Sequence, residues 1–229
     1  MKAILFSSDF VGLDATKELE RLVGKSAEDI KFAVINEGVA EVRGDNSFFV
    51  DGMYFLKHHF GGFDLINLLA LSAEQVKERV GKADAIFCFG GNTEYIKTVF
   101  DRTGFSEILS ELLETKVWCG SSAGSMILGR MIETKWQRKL FGEFDDFGVT
   151  EYFNLLDFSV LAHLRGGNLM ADEKDRIVFD ISKSVKWDIY ALSDWSAVVV
   201  DGDEVRVIGK FWTKLRDGEI IEQNTEEKG

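Results

Sequence analysis

A chain of 229 residues, 45% of them hydrophobic, is long enough to bury a full core, and at this size a single domain over 1–229 is expected. With 39 acidic against 27 basic side chains the formal net charge is -12, which argues against a nucleic-acid surface, as does the lack of any basic stripe. No apolar run reaches the roughly 18 residues of a membrane span, and the apolar start turns polar at Ser7-Ser8-Asp9, too early for a signal peptide, so a cytoplasmic protein without a membrane partner is expected.

In chain order, residues 2–6 read as a buried strand and 13–23 as a helix with Leu13, Leu19, Leu22 and Val23 on one face. Residues 31–35 form a second buried strand. Residues 37–60 run through Gly44-Asp45-Asn46 into a Phe/Met/Tyr-rich segment with helical character. His58 and His59 lie there, but adjacent helical positions diverge and no carboxylate sits at i+4 from either, so they read as ordinary histidines and no metal is expected. A third strand is expected at 63–67. Ser72 then caps a helix to residue 80, with Glu74 and Gln75 in its first turn, and 84–89 is a fourth strand.

Gly90-Gly91-Asn92 follows that strand and leads into a helix at 94–101, with another at 106–114. Glycines at a strand-to-helix turn allow close backbone approach to a ligand. Residues 116–119 are a short apolar run, and beyond them Gly120-Ser121-Ser122-Ala123-Gly124 matches a G-x-S-x-G nucleophile elbow that opens a helix. The elbow holds its serine on a sharp turn over the first, unpaired N–H groups of the helix, where an oxyanion is stabilised. Ser122 is therefore the candidate nucleophile, and the N–H groups of Gly91 and Ala123 are the candidate oxyanion hole. A parallel sheet places both turns on one edge, where ligands bind. Cys88 and Cys119 fall at strand ends in apolar company and read as buried thiols; Cys119 is three positions before the elbow tip, which disfavours a cysteine nucleophile.

Past the elbow, 131–140 looks extended and 141–152 is an acidic loop with Glu143, Asp145 and Asp146. Residues 155–163 form an apolar strand that delivers His163 to its end, as a general base requires; it is followed by Leu164-Arg165-Gly166-Gly167-Asn168. Residues 172–185 make an amphipathic helix. Short strands at 189–192, 197–200, 205–210 and 219–221 alternate with Asp-Gly hairpin signals, and a polar tail closes the chain at 223–229. The expected fold is α/β: a doubly wound, mostly parallel sheet with helices on both faces and a C-terminal β meander. Proline is absent, so the 22 glycines, with Asp and Asn, must make the turns.

With the GGN turn, the G-S-S-A-G-S elbow and the L-D-F-S-V-x-A-H strand in this order, the chain resembles the dipeptidase E and cyanophycinase family of serine peptidases, whose fold is akin to class I glutamine amidotransferases. The resemblance reaches the closing Ser193-Asp194-Trp195-Ser196-Ala197-Val198-Val199-Val200 segment. It implies a serine-type hydrolase of short peptides, without cofactor or metal, with Ser122 as nucleophile, His163 as base and Gly91 and Ala123 as oxyanion donors. The chain has Ala162 where the family usually has proline. The family's acidic member falls on Gln137; Glu133, four residues back on the same face of an extended segment, is the preferred third member, with Glu143, Asp145 and Asp146 as alternatives. The arginine with which the family's aspartyl-dipeptidase branch binds an acidic side chain falls near Asp172 and Glu173, which would repel such a side chain; Arg165, with Asn92, is the substrate-binding candidate. The alternative reading is a catalytically inactive binding module on the same fold, and a homodimer is left open.

Overall fold

Strands buried on both faces need apolar side chains at successive positions, and the first half of the chain supplies four of them. They are β1 (Lys2–Phe6), β2 (Phe32–Ile35), β4 (Ala85–Cys88) and β5 (Val117–Ser121), joined by a partly exposed edge strand, β3 (Phe63–Ile66). The structure is a computed structural model that describes residues 1–10, 13–142, 147–164 and 171–224. All five strands are parallel, in the order β3-β2-β4-β5-β1. Side chains alternate between two cores. Ile4, Phe6, Phe32, Val34, Phe87 and Cys119 face one, against α1 (Thr16–Val23) and α2 (Ser47–His59). Leu5, Ala33, Ile35, Ile86, Cys88 and Trp118 face the other, against α3 (Ala73–Gly81), α4 (Thr93–Arg102) and α5 (Phe105–Leu112). This is the doubly wound arrangement expected from the pattern. At α3 the Ser72 side chain accepts from Gln75 N–H while the Gln75 side chain accepts from Ser72 N–H, a complete capping box.

The second half departs from the expectation in two places. Residues Thr134–Phe141 form a helix, α7, where an extended segment was expected. Ile132 and Leu140, with Trp136 and Phe141, pack in one cluster with Val178 and Ile181 of the helix Ala171–Ser184, α8. Gly142 at φ 69° closes α7 in the left-handed conformation that glycine tolerates. A helical i, i+4 pairing of Trp136 and Leu140 is hard to tell from an extended one in a short, largely polar stretch.

The strands beyond residue 187 pair antiparallel with one another, as expected, but they divide between two sheets, and the first of them also runs parallel to the strand Phe158–Leu161. β8 (Ser196–Asp201) pairs with β1, and β9 (Glu204–Gly209) pairs with β8, extending the main sheet. β6 (Phe158–Leu161), β7 (Asp188–Leu192), β10 (Trp212–Arg216) and β11 (Glu219–Asn224) form a second sheet in the order β11-β10-β7-β6, with β10 a strand additional to those expected. Both Asp-Gly signals do turn the chain: Gly202-Asp203 joins β8 to β9, and Asp217-Gly218 joins β10 to β11 with both residues at positive φ. The second sheet lies between the main body and α7/α8, since Val160 and Tyr190 join the core beneath α4 and α5 while Leu161 and Ala191 join the one beneath α8. The chain crosses from one sheet to the other in the turn 193–195, between β7 and β8.

Candidate active site

The elbow is built by backbone packed on backbone. A Cβ at Gly124 would run into the Cys88 carbonyl at the end of β4, and one at Gly120 into the carbonyl of Gly124, so the short helix α6 (Ala123–Met126) sits hard against the sheet edge. Trp118 Nε1–H donates to Gly124 O at 2.9 Å, and Ser125 Oγ lies 2.8 Å from Phe6 O and 2.6 Å from Gly120 O. These bonds hold Ser122 at φ 50°, ψ -114°, outside the regions a serine ordinarily occupies, at a cost of about 1–3 kcal/mol. Its N–H donates to Phe6 O at 3.1 Å, and its hydroxyl projects from the carboxyl edge of the sheet.

Beside it runs the GGN turn. A Cβ at Gly90 would meet the Ser122 side chain, and one at Gly91, at φ 124°, would strike the carbonyl of Gly38. Gly38 belongs to the 3₁₀ turn Glu37–Glu41, anchored by Glu37 Oε1, which accepts from Leu68 N–H at 2.6 Å. Burial pushes the Glu37 carboxyl up from its ordinary value. Asn92, the substrate-binding candidate, spends its side-chain oxygen as the N-cap of α4, accepting from Tyr95 N–H at 2.9 Å, while the residue lines the cleft. Ala123 opens α6, where a first-turn N–H has no acceptor within the helix.

His163 stands two residues past β6, at φ 57°, and its Nε2 is 2.8 Å from Ser122 Oγ. Its other ring nitrogen is met by a carboxylate, and that carboxylate is Asp194, with Nδ1 and Oδ1 2.6 Å apart. A carboxylate only accepts, so Nδ1 carries the ring proton and Nε2 is left to accept from the serine hydroxyl. The hydrogen bond from His163 holds the Asp194 carboxyl below the ordinary carboxylate value, against the opposing effect of burial. Glu133, the expected third member, is not at the imidazole. It precedes α7 and pairs with Lys135 at 2.7 Å, with the Glu133 side chain 56% exposed, an ion pair of the kind worth about 0–1 kcal/mol. The physical reason is the helix at 134–141: coiling replaces the extended spacing on which Glu133 depended. Sequence reasoning missed Asp194, because the signal that brings it here is strand register. β6 and β7 run parallel with Leu161 opposite Ala191, so the residues just past their ends, His163 and Asp194, come to the same edge.

Gln137, where the resemblance laid an acid, is buried and structural, donating from Nε2 to Ile132 O at 3.1 Å and accepting from Tyr152 Oη at 2.9 Å. Glu143, Asp145, Asp146 and Arg165 lie outside the described residues. His58 and His59 sit on the exposed end of α2, stacked on Tyr54 and Phe55 with ring centroids 4.0 Å apart, and each Nδ1 bonds the backbone carbonyl four residues back. Cys88 and Cys119 are both buried, and burial pushes both thiols well up, so neither is a ready nucleophile.

Ser122, His163, Gly90, Gly91 and Asn92 open onto one cleft of about 740 Å³. Asp9 and Glu41 bring negative charge to its walls, and Arg43 and Lys174 bring positive charge. Phe48, Met126, Leu140 and Phe141 supply apolar surface. Among the described residues no group of three or more His, Cys, Asp or Glu comes together, and no helix is long and apolar enough to cross a membrane.

Residues 13–208 match the sequence profile of peptidase family S51. The chain belongs to that family. Among its relatives, the uncharacterized peptidase Lin0382 of Listeria innocua is 29% identical over 150 residues, spanning 64% of this chain and 66% of that protein's length. Another, PM1590 of Pasteurella multocida, is 25% identical over 160 residues, spanning 68% of this chain and 69% of the relative. A solved structure from Listeria monocytogenes EGD-e, provisionally described as a peptidase E, has TM-score 0.69 at 23% identity and covers 91% of this chain and 98% of its own. A peptidase from an acI-B1 actinobacterium has TM-score 0.67 at 16% identity, covering 99% and 95%. These two likenesses establish the fold, and the S51 profile establishes the family.

Proposed function

We propose that this S51 protein is a serine peptidase that hydrolyses short peptides through an acyl-enzyme on Ser122. The observation that carries the reading is the unbroken chain from Ser122 Oγ to His163 Nε2, 2.8 Å, and from His163 Nδ1 to Asp194 Oδ1, 2.6 Å, at the mouth of the cleft. In this reading His163 takes the hydroxyl proton as Ser122 attacks the scissile carbonyl, and Asp194 stabilises the resulting imidazolium and keeps the ring in its productive tautomer. The N–H groups of Gly91 and Ala123 receive the oxyanion. The imidazolium then returns the proton to the departing amine, and a water activated by the same nitrogen releases the acid product.

The cleft volume suits a small ligand, and walls of both charge signs complement a short peptide, which carries an ammonium at one end and a carboxylate at the other. The inert-module reading rests on Gln137 standing where an acid was sought and on Ala162 before the histidine; Asp194 at the imidazole speaks against the first of these. The test is covalent labelling by a serine-directed aryl phosphonate, read by intact mass spectrometry, together with peptide-library hydrolysis. Wild type is expected to gain one adduct and cleave short peptides, and Ser122→Ala to do neither. An adduct of equal yield on Ser122→Ala would overturn the proposal.

A further inference from the structure

Ser7, the residue after β1, is fully buried, and no reading of the sequence gives it a role beyond ending a strand. Its hydroxyl sits at the join of the two sheets. The main-chain N–H of His163 donates to Ser7 Oγ at 2.7 Å, a short bond for an N–H donor. A hydroxyl has one proton to give, and here that proton has two candidate acceptors: Asp194 Oδ1 and Leu192 O, each 3.3 Å away. The Asp194 oxygen is the one that receives His163 Nδ1. The Ser7 N–H in turn donates to Ser196 O at 3.1 Å, where β8 begins.

Each bond touches a place where the site needs restraint. His163 holds a left-handed conformation at φ 57°, which a residue with a Cβ enters at a cost of about 1–2 kcal/mol, and the N–H to Ser7 is part of what offsets it. The turn 193–195 carries Asp194 between the sheets. β1 is the parallel neighbour of β5, with Phe6 opposite Ser121, so the residue next along each strand is Ser7 on one and Ser122 on the other. Ser122 belongs to the main sheet, while His163 and Asp194 follow strands of the second one.

We propose that Ser7 is a positioning residue that sets the His163 ring and the Asp194 carboxylate in register with Ser122. This rests on the serine-hydrolase reading for its kinetic consequence and on geometry alone for its structural one. Two rigid sheets that meet at an edge leave the His–Asp pair free to drift relative to the nucleophile. A misplacement of about 1 Å is enough to cost on the order of a hundredfold in rate. Ser7 Oγ acts on both members of the pair from the strand beside the nucleophile, so it removes that drift without touching substrate.

The experiment combines the rate of phosphonate labelling with the downfield proton NMR signal of the His163 Nδ1–H. Ser7→Ala is expected to label about tenfold more slowly, with the reagent's binding constant little changed, and to shift or broaden the signal. Ser7→Cys, close to serine in size but a weak acceptor, is expected to behave likewise and serves if the alanine variant does not fold. Ser7→Thr, which keeps the hydroxyl, is expected to recover most of the rate and the signal. Folded Ala or Cys variants with wild-type rate and an unmoved signal would overturn the proposal. If the wild type takes no label, the hydrolase reading fails and the NMR signal alone decides: unchanged in Ser7→Cys, it refutes the role of Ser7.

Discussion

Ser122 and His163, the proposed nucleophile and base, both sit on backbone of positive φ, 50° and 57°, yet they are held there by different means. At the elbow the restraint is local and steric. Gly120 and Gly124 let carbonyls approach where any side chain would block them, and the bonds from Trp118 and Ser125 close the turn within a few residues. At His163 the restraint is remote and made of hydrogen bonds. The ring is fixed by Asp194, 31 residues on, and the main chain by Ser7, 156 residues back. A site split in this way has one half that resists small polar substitutions and another that is sensitive to single lost hydrogen bonds.

The largest effect is expected from breaking the remote half. Asp194→Asn keeps the shape but favours the wrong ring tautomer, and should lower kcat for peptide hydrolysis by about 10⁴ with little change in melting temperature. Breaking the local half acts through backbone. Gly91→Ala sets a Cβ against the Gly38 carbonyl at φ 124°, so the turn must move and its N–H with it. A loss of about 10² in kcat with KM nearly constant is expected in steady-state assays, the size of one misplaced oxyanion donor.

A third prediction concerns the second sheet, which carries the remote half. Burial pushes the Asp188 carboxyl up, but hydrogen bonds from Arg216 and Lys214 on β10 outweigh it and leave the group below its ordinary value. Asp188→Asn leaves two cations without their acceptor and should cost about 2 kcal/mol of stability, reduced from the fully buried case because Arg216 is half exposed. A carboxyl whose pKa is depressed on folding stabilises the native state above its unfolded value and loses that contribution as pH falls from there through the lower folded value. Thermal melts of wild type and Asp188→Asn should therefore differ at pH 7 and converge from about pH 4 downward. The smallest effect sharpens the contrast: Glu133→Gln, on a solvent-exposed pair away from the imidazole, should stay within about twofold of wild type in kcat/KM. A large loss there would return the acid role to the helix start at α7.

The sheet of the first half was legible because a strand buried on two faces writes itself as a continuous apolar run, and Lys2–Phe6, Phe32–Ile35, Ala85–Cys88 and Val117–Ser121 are such runs. The short helix at Thr134–Phe141 was not, since eight mostly polar residues show too few apolar positions to reveal their period, and what stabilises them is packing on α8. The division of the C-terminal strands between two sheets was equally hidden, because an alternating strand specifies which face it buries but not which neighbour it pairs with.

The same division runs through the site. Sequence alone determined the placement of Ser122, Gly91 and Ala123, since a tight turn between strand and helix is a short-range structure and its glycines are required by sterics within a few residues. It also brought His163 to a strand end. Only the tertiary structure decided which carboxylate meets the imidazole, because that depends on β6 and β7 lying side by side with Leu161 opposite Ala191. It alone put Ser7 beside both His163 and Asp194. Register between strands distant in the chain is set by the packing of whole faces, and no local run of residues encodes it.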